Sequence, residues 1–187
     1  MLKHKGTVML ESERLILRRF TMNDAEAMFN NWANDAEVAK YMRWNAHQDI
    51  DETESVLRNR TERYSDLSTY HWAIVLKGTD MPIGNIALIC TNEYDMCAEV
   101  AYCLGKQYWG QGIITEAAIT VLKFGLIEVG FNRIEAYHAV NNAASGKVLK
   151  NAGMKYEGRM RKKYRSHIGF EDSDLYAILR EDIVNRV

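Results

Sequence analysis

The chain has little proline: Pro82 stands alone among 187 residues, and no Ser/Gly-rich linker accompanies it. Nothing therefore marks a joint between domains, and residues 1–187 are expected to form one domain of ordinary size. Cysteine is scarce too. Cys90, Cys97 and Cys103 are an odd set without metal-type spacing. That excludes a disulfide framework and suits reduced thiols in a cytoplasmic protein. No His/Cys/Asp/Glu spacing resembles a metal site, so no metal is expected. No apolar run approaches the length needed to span a bilayer, and the opening Met1–Gly6 leads into no signal-type stretch. An excess of one charge is also missing. Lys and Arg total 24 against 25 Asp and Glu, a net charge of −1. Bulk electrostatic attraction to nucleic acid or to an anionic membrane is thereby excluded, though a local patch is not. Repeats and low-complexity tracts are absent.

What is present is a rich pattern of short elements. Arg14–Phe20 reads as a strand, and Thr21 three residues before Asp24 reads as a helix cap. Met28, Phe29 and Trp32 recur at helical spacing, which predicts a helix over roughly Asn23–Ala33. A second helix should start near Asp49 and carry Val56, Leu57 and Tyr64. Strands follow at His71–Leu76 and Ile83–Cys90, joined by a turn at Lys77–Met81. A strand at Cys97–Leu104 precedes a Gly-rich turn and a helix over about Ile113–Val129. Arg133–Val140 reads as a strand and Asn142–Ala152 as a helix stopped by a left-handed Gly153. Strands near Lys155–Tyr164 and Asp174–Leu179 close the chain. This order predicts an α/β protein, a mixed sheet with helices on its faces.

The turn Leu104–Ala117 carries the strongest chemical signal. It links a strand to a helix, and Gly110 and Gly112 place no side chain in the way of a ligand. Glycine conformations aim successive N–H groups inward, and the helix adds free N–H groups and its positive dipole end. Together they suit a diphosphate, with Thr115 able to add a hydroxyl. The dinucleotide pattern Gly-x-Gly-x-x-Gly fails because Thr115 holds its third position. A P-loop fails because Ile113 and Ile114 stand where Lys-Ser/Thr is needed.

Gln107-Tyr108-Trp109-Gly110-Gln111-Gly112 resembles the Gln/Arg-x-x-Gly-x-Gly/Ala signature of the GNAT superfamily of N-acetyltransferases. The resemblance extends over nearly the whole chain. Arg14–Arg18 with Asp24-Ala25-Glu26, Pro82–Ile86, Ala98–Tyr102, and Asn142–Ser145 with Leu149 and Gly153-Met154 resemble the branch that acetylates ribosomal-protein N-termini. Met154 replaces that branch's usual Phe. The resemblance implies the GNAT fold: a central, largely antiparallel sheet of six to seven strands, helices on both faces, and a splayed central strand pair. It implies acetyl-CoA as cofactor, with coenzyme A as product. Gln107, Gly110, Gln111, Gly112 and Ile113 then belong to the diphosphate turn. Tyr102, Cys103 and Leu104 offer backbone contacts to pantetheine, and Asn142 and Ser145 lie beside it.

Amine acetylation needs a neutral amine, donors for the thioester oxygen and a proton for the departing thiolate. The resemblance makes Glu99 the first choice as base, with His138 or a water as alternatives, or a Glu99 paired to an Arg such as Arg133. Strict alternation puts Glu99 on the face of Ala101 and Cys103 unless a bulge intervenes. The family's usual acid, a Tyr on the last helix, is replaced by Leu149, and Ser145 takes that role in the ribosomal-protein branch. Asn142 and Ser145 also suit plain helix capping. Cys103 lacks a base–orienter pair and suits a buried thiol. Trp32, Tyr41 and Met42 suit the core, whereas Trp44 leans towards the acceptor pocket. The basic run Arg159–Arg165 suits a solvated strand face.

The expected activity is acetyl transfer to a primary amine by direct attack, the acceptor being a protein or peptide N-terminus. A small amine, a polyamine or an aminoglycoside-like compound is the alternative. A non-catalytic CoA-binding sensor is another, and a homodimer is possible.

Overall fold

A computed structural model describes residues 1–166 and 169–184. Eight strands form one sheet. They are β1 (Leu10–Glu11), β2 (Leu15–Arg18), β3 (Tyr70–Leu76), β4 (Pro82–Asn92), β5 (Cys97–Leu104), β6 (Arg133–Ala139), β7 (Lys155–Ser166) and β8 (Gly169–Leu179). The spatial order is β1-β2-β3-β4-β5-β6-β8-β7. Every neighbouring pair is antiparallel except β5 and β6, which run parallel. The short β1, only two residues long, raises the strand number above the six or seven expected.

That parallel pair is the important irregularity. Its ladder covers only Cys97↔Arg133, Ala98↔Ile134 and Glu99↔Glu135. Beyond Glu99 the two strands part, although β5 continues to Leu104 and β6 to Ala139. On its other side β5 stays paired with β4 up to Leu104. The fork therefore leaves one edge of β5 open in mid-sheet.

Each face of the sheet carries its own core. On one side lie α4 (Ile113–Lys123), its π-helical continuation Phe124–Val129, and α5 (Ala143–Asn151). Ile113, Ala117, Val121, Leu122 and Leu149 meet Val100, Leu104 and Ile134 there. On the other side lie α1 (Ala25–Met28), α2 (Ala36–Ala39) and α3 (Ile50–Glu62). Met28, Trp32, Val38 and Leu57 there enclose Ala73, Val75 and Cys103. The alternation of β5 explains the division, since even positions feed the first core and odd positions face the second. Asp49 caps α3 by accepting from the Glu52 N–H at 3.0 Å, and α6 (Arg180–Val184) follows the last strand.

The predicted cap at Thr21 is present. The Thr21 N–H donates to Asp24 Oδ2 at 2.8 Å, and both terminal nitrogens of Arg18 donate to the same carboxylate at 2.8 Å. Asp24 is buried at 4% exposure. Removing one partner of a buried pair strands the other charge, so Asp24→Ala should lower the unfolding free energy by about 3 kcal/mol in a urea titration. A loss below half that value would mean that water replaces the carboxylate.

Candidate active site

The Gly-rich turn has the conformation its sequence suggests. Gly110 and Gly112 adopt φ of 74° and 76°, in the left-handed region. The first hydrogen bond of α4 runs from the Glu116 N–H to the Gly112 carbonyl at 3.0 Å. Among the described residues the N–H groups of Gly110, Gln111 and Gly112 make no hydrogen bond. Ile113 and Thr115 lie within the first turn of α4, where N–H groups lack intrahelical partners. The Thr115 hydroxyl is half-exposed and likewise has no protein partner among the described residues. Such a ring of free donors at a helix N-terminus fits a diphosphate. Gln107 plays a bracing part: its Nε2 donates to Asn31 Oδ1 at 3.1 Å and its carbonyl accepts from Gln111 Nε2 at 2.9 Å.

A clamp that sequence reasoning missed fixes this turn. Arg14 Nη1 donates to the Gln111 carbonyl at 3.1 Å, and Arg14 Nε donates to Glu116 Oε2 at 2.7 Å. Glu116 also accepts from the Arg14 N–H at 2.8 Å and the Ser12 hydroxyl at 2.7 Å. Burial disfavours the Glu116 carboxylate, but these three donors outweigh it and hold its pKa below the usual range. No local signal in the sequence links the two residues, which lie 102 positions apart.

The fork carries different groups on its two faces. Glu99 sits at the last rung of the β5–β6 ladder. The irregularity nearby belongs to β4, between Cys90 and Asn92, so β5 has no bulge and Glu99 shares the face of Ala101 and Cys103. Burial raises the Glu99 pKa above the usual carboxylate range. The hydrogen-bonding influence of Tyr137 and the charges of Arg43 and Lys163 oppose that rise. Glu99 is not the partner of Arg133, which binds Glu135 at 2.6 Å and Glu157 at 2.9 Å.

On the opposite face Tyr102 turns its side chain to α5. Its hydroxyl lies 2.8 Å from Ser145 Oγ, a pair in which either group can donate, and 3.3 Å from the Ser145 carbonyl oxygen. Burial pushes the Tyr102 phenol up to about 12, so it stays protonated at neutral pH. Asn142 Oδ1 accepts from the Ser145 N–H at 3.3 Å, the capping bond its sequence suggests. Of the three β5 residues expected to meet pantetheine through their backbone, Leu104 already accepts at its carbonyl from the Trp109 indole at 2.8 Å. Cys103 is buried among α1 and α3 residues, and burial pushes its thiol up to about 12, an inert state.

His138 does not join Glu99. It is 6% exposed, its Nδ1 donates to the Ala139 carbonyl at 2.8 Å, and it lies beneath α5. A Cβ added at Gly146 would come within 2.7 Å of its Nε2. Trp32 is buried, and Met42 and half-buried Trp44 pack on the second core. Tyr41 braces the loop between α2 and α3, donating to the Asn141 carbonyl at 3.2 Å. Of the basic run, Arg159 pairs with Asp174 at 2.9 Å and the Lys162 ammonium meets the Phe170 carbonyl at 3.2 Å. Among the described residues no helix is long and apolar enough to cross a membrane, and no cluster of three groups could hold a metal.

A sheet forked beside a free-donor turn is the architecture of an acyl-CoA-using transferase. The family described as Acetyltransferase (GNAT) domain matches residues 14–155, and the chain belongs to it. It is similar to the "Uncharacterized N-acetyltransferase p20" of Bacillus licheniformis, 27% identical, with 92% of this chain and 97% of that protein covered. It is also similar to the "Putative ribosomal N-acetyltransferase YdaF" of Bacillus subtilis, 24% identical, with 91% of this chain and 94% of that protein covered. A solved GNAT-family acetyltransferase from Bacillus anthracis superposes with a TM-score of 0.82 at 25% identity, covering 93% of this chain and 99% of that one. The microcin C7 self-immunity acetyltransferase MccE, solved in complex with acetyl-CoA and AMP, shares the fold at a TM-score of 0.80 and 20% identity, covering 90% and 93%. The chain is thus an acetyl-CoA-dependent N-acetyltransferase.

Proposed function

We propose that the acceptor is a protein or peptide N-terminus, acetylated by direct attack of its amine in a ternary complex. The observation that carries this reading is the fork, with a carboxylate on one face and a Tyr–Ser hydroxyl pair on the other. Acetyl-CoA supplies the activated acyl group. The N–H groups of Gly110, Gln111, Gly112 and Ile113 and the Thr115 hydroxyl hold the diphosphate. The open edge of β5 at Tyr102, Cys103 and Leu104 takes the pantetheine arm as an added strand, with Asn142 beside it. Glu99 takes the amine proton on its own face, directly or through a water. On the other face Tyr102 donates to Ser145 Oγ, which frees the Ser145 proton for the departing sulfur. The name of the Bacillus subtilis relative, a putative ribosomal N-acetyltransferase, supports a protein acceptor over a small amine.

The cofactor half is tested by thermal unfolding. Acetyl-CoA at a hundredfold excess over Kd should raise Tm by about 5–10 °C, while ATP and NAD leave it unchanged. No shift with acetyl-CoA would refute the turn assignment. The acid is tested by Ser145→Ala. Turnover should fall about tenfold to a hundredfold with little change in acetyl-CoA affinity. An unchanged rate would reduce Ser145 to a residue of the helix cap.

A further inference from the structure

The acceptor side of the fork sets two cations, Arg43 and Lys163, near the carboxylate of Glu99. Arg43 lies exposed in the loop between α2 and α3, with its guanidinium carbon 5.1 Å from the ring centre of Tyr164 and 5.9 Å from that of Tyr137. One N–H of Arg43 donates to the Tyr137 hydroxyl at 2.8 Å. The Lys163 ammonium lies 5.8 Å from the centre of the Tyr137 ring. Among the described residues neither cation has a carboxylate within ion-pairing distance. Tyr164 donates to the Tyr41 carbonyl, which ties this loop to β7 and holds the arrangement in place. A guanidinium has five donors in a rigid fork, so most of those on Arg43 remain unspent.

We infer that this site selects amines that carry an anionic group, namely peptides with Asp or Glu in the first two positions. The inference rests on delivery of the acceptor amine to Glu99, as proposed above. Tyr137 stands between Glu99 and Arg43. Glu99 and Arg43 thus flank one phenol hydroxyl, which lies 2.8 Å from Arg43, so an amine at the first and a carboxylate at the second would sit within about 10 Å of each other. An extended chain rises about 3.3–3.6 Å per residue, so one or two residues plus the length of an acidic side chain cover that span. The Tyr137 and Tyr164 rings hold the guanidinium ready to grip a carboxylate in bidentate fashion. The same two cations repel a polyamine or an aminoglycoside, whose extra ammonium groups would lie beside them.

The test compares peptides of one length that differ only at position two, with Glu, Gln or Lys, by thiol release at low and high salt. The Glu peptide should exceed the Lys peptide in kcat/KM by tenfold or more, chiefly through KM, with the gap narrowing as salt rises. Arg43→Glu should erase or invert the preference while leaving KM for acetyl-CoA unchanged. Equal rates, or a preference for the Lys peptide, would overturn the inference while leaving the N-terminal reading intact. If no peptide is turned over, that reading fails by itself. The charge preference is then decided by calorimetric titration of the same peptides into the CoA-bound protein. Binding of the Glu peptide that Arg43→Glu abolishes upholds the preference. No binding, or binding indifferent to the variant, ends it.

Discussion

Gly110→Glu is expected to weaken acetyl-CoA binding by about a hundredfold to ten-thousandfold in calorimetry. Two effects add. The Gly110 φ of 74° is a conformation that side chains resist, at about 1–2 kcal/mol. A carboxylate there also faces the diphosphate, and like charges about 4 Å apart repel by about 1–4 kcal/mol in a partly solvated site. At about 1.4 kcal/mol per tenfold the sum reaches the stated range. The fold should survive, because a Cβ at Gly110 would meet nothing within 4 Å. Gly110→Ala separates the terms, since it adds the strain without the charge and should weaken binding about tenfold. Full affinity in the Glu variant would move the diphosphate elsewhere.

The sequence made local chemistry legible and hid long-range contacts. Strand β5 matches its predicted span, Cys97–Leu104, because its alternation is clear and a Gly follows. The Gly-rich turn was readable because its donors come from consecutive backbone groups. By contrast, β1 and α2 are two and four residues long, too short for periodicity to register. The fork itself came from family resemblance, since a ladder that stops after Glu99 leaves no mark on hydropathy. Tyr102 was expected to contribute backbone alone, yet its hydroxyl reaches Ser145 across 43 residues. Arg43 meets Tyr137 across 94 residues and was not singled out at all. These are tertiary pairings of ordinary residue types, and no window of sequence contains both partners.

Glu99→Gln should lower kcat by about a hundredfold to ten-thousandfold while acetyl-CoA affinity stays constant. The amide keeps the size of the carboxylate but takes up no proton. Burial raises the Glu99 pKa, which brings the base closer to working pH and makes it a better match for an ammonium donor. The wild-type rate should therefore climb with pH as Glu99 ionises, and the variant should lack that limb. Stability runs the other way. A carboxyl with a raised native pKa gains a proton on folding at any pH between its unfolded value, about 4.3, and the raised one. Its contribution to stability is full below that window and declines as pH rises through it. At neutral pH an ionised, half-buried Glu99 thus weighs against the fold, and Glu99→Gln should leave Tm unchanged or higher while activity falls. A rate loss with lowered Tm and an intact pH limb would instead make Glu99 a structural residue and hand the proton to solvent. A raised Tm with a lost limb would show a carboxylate kept in an unfavourable setting for its chemistry.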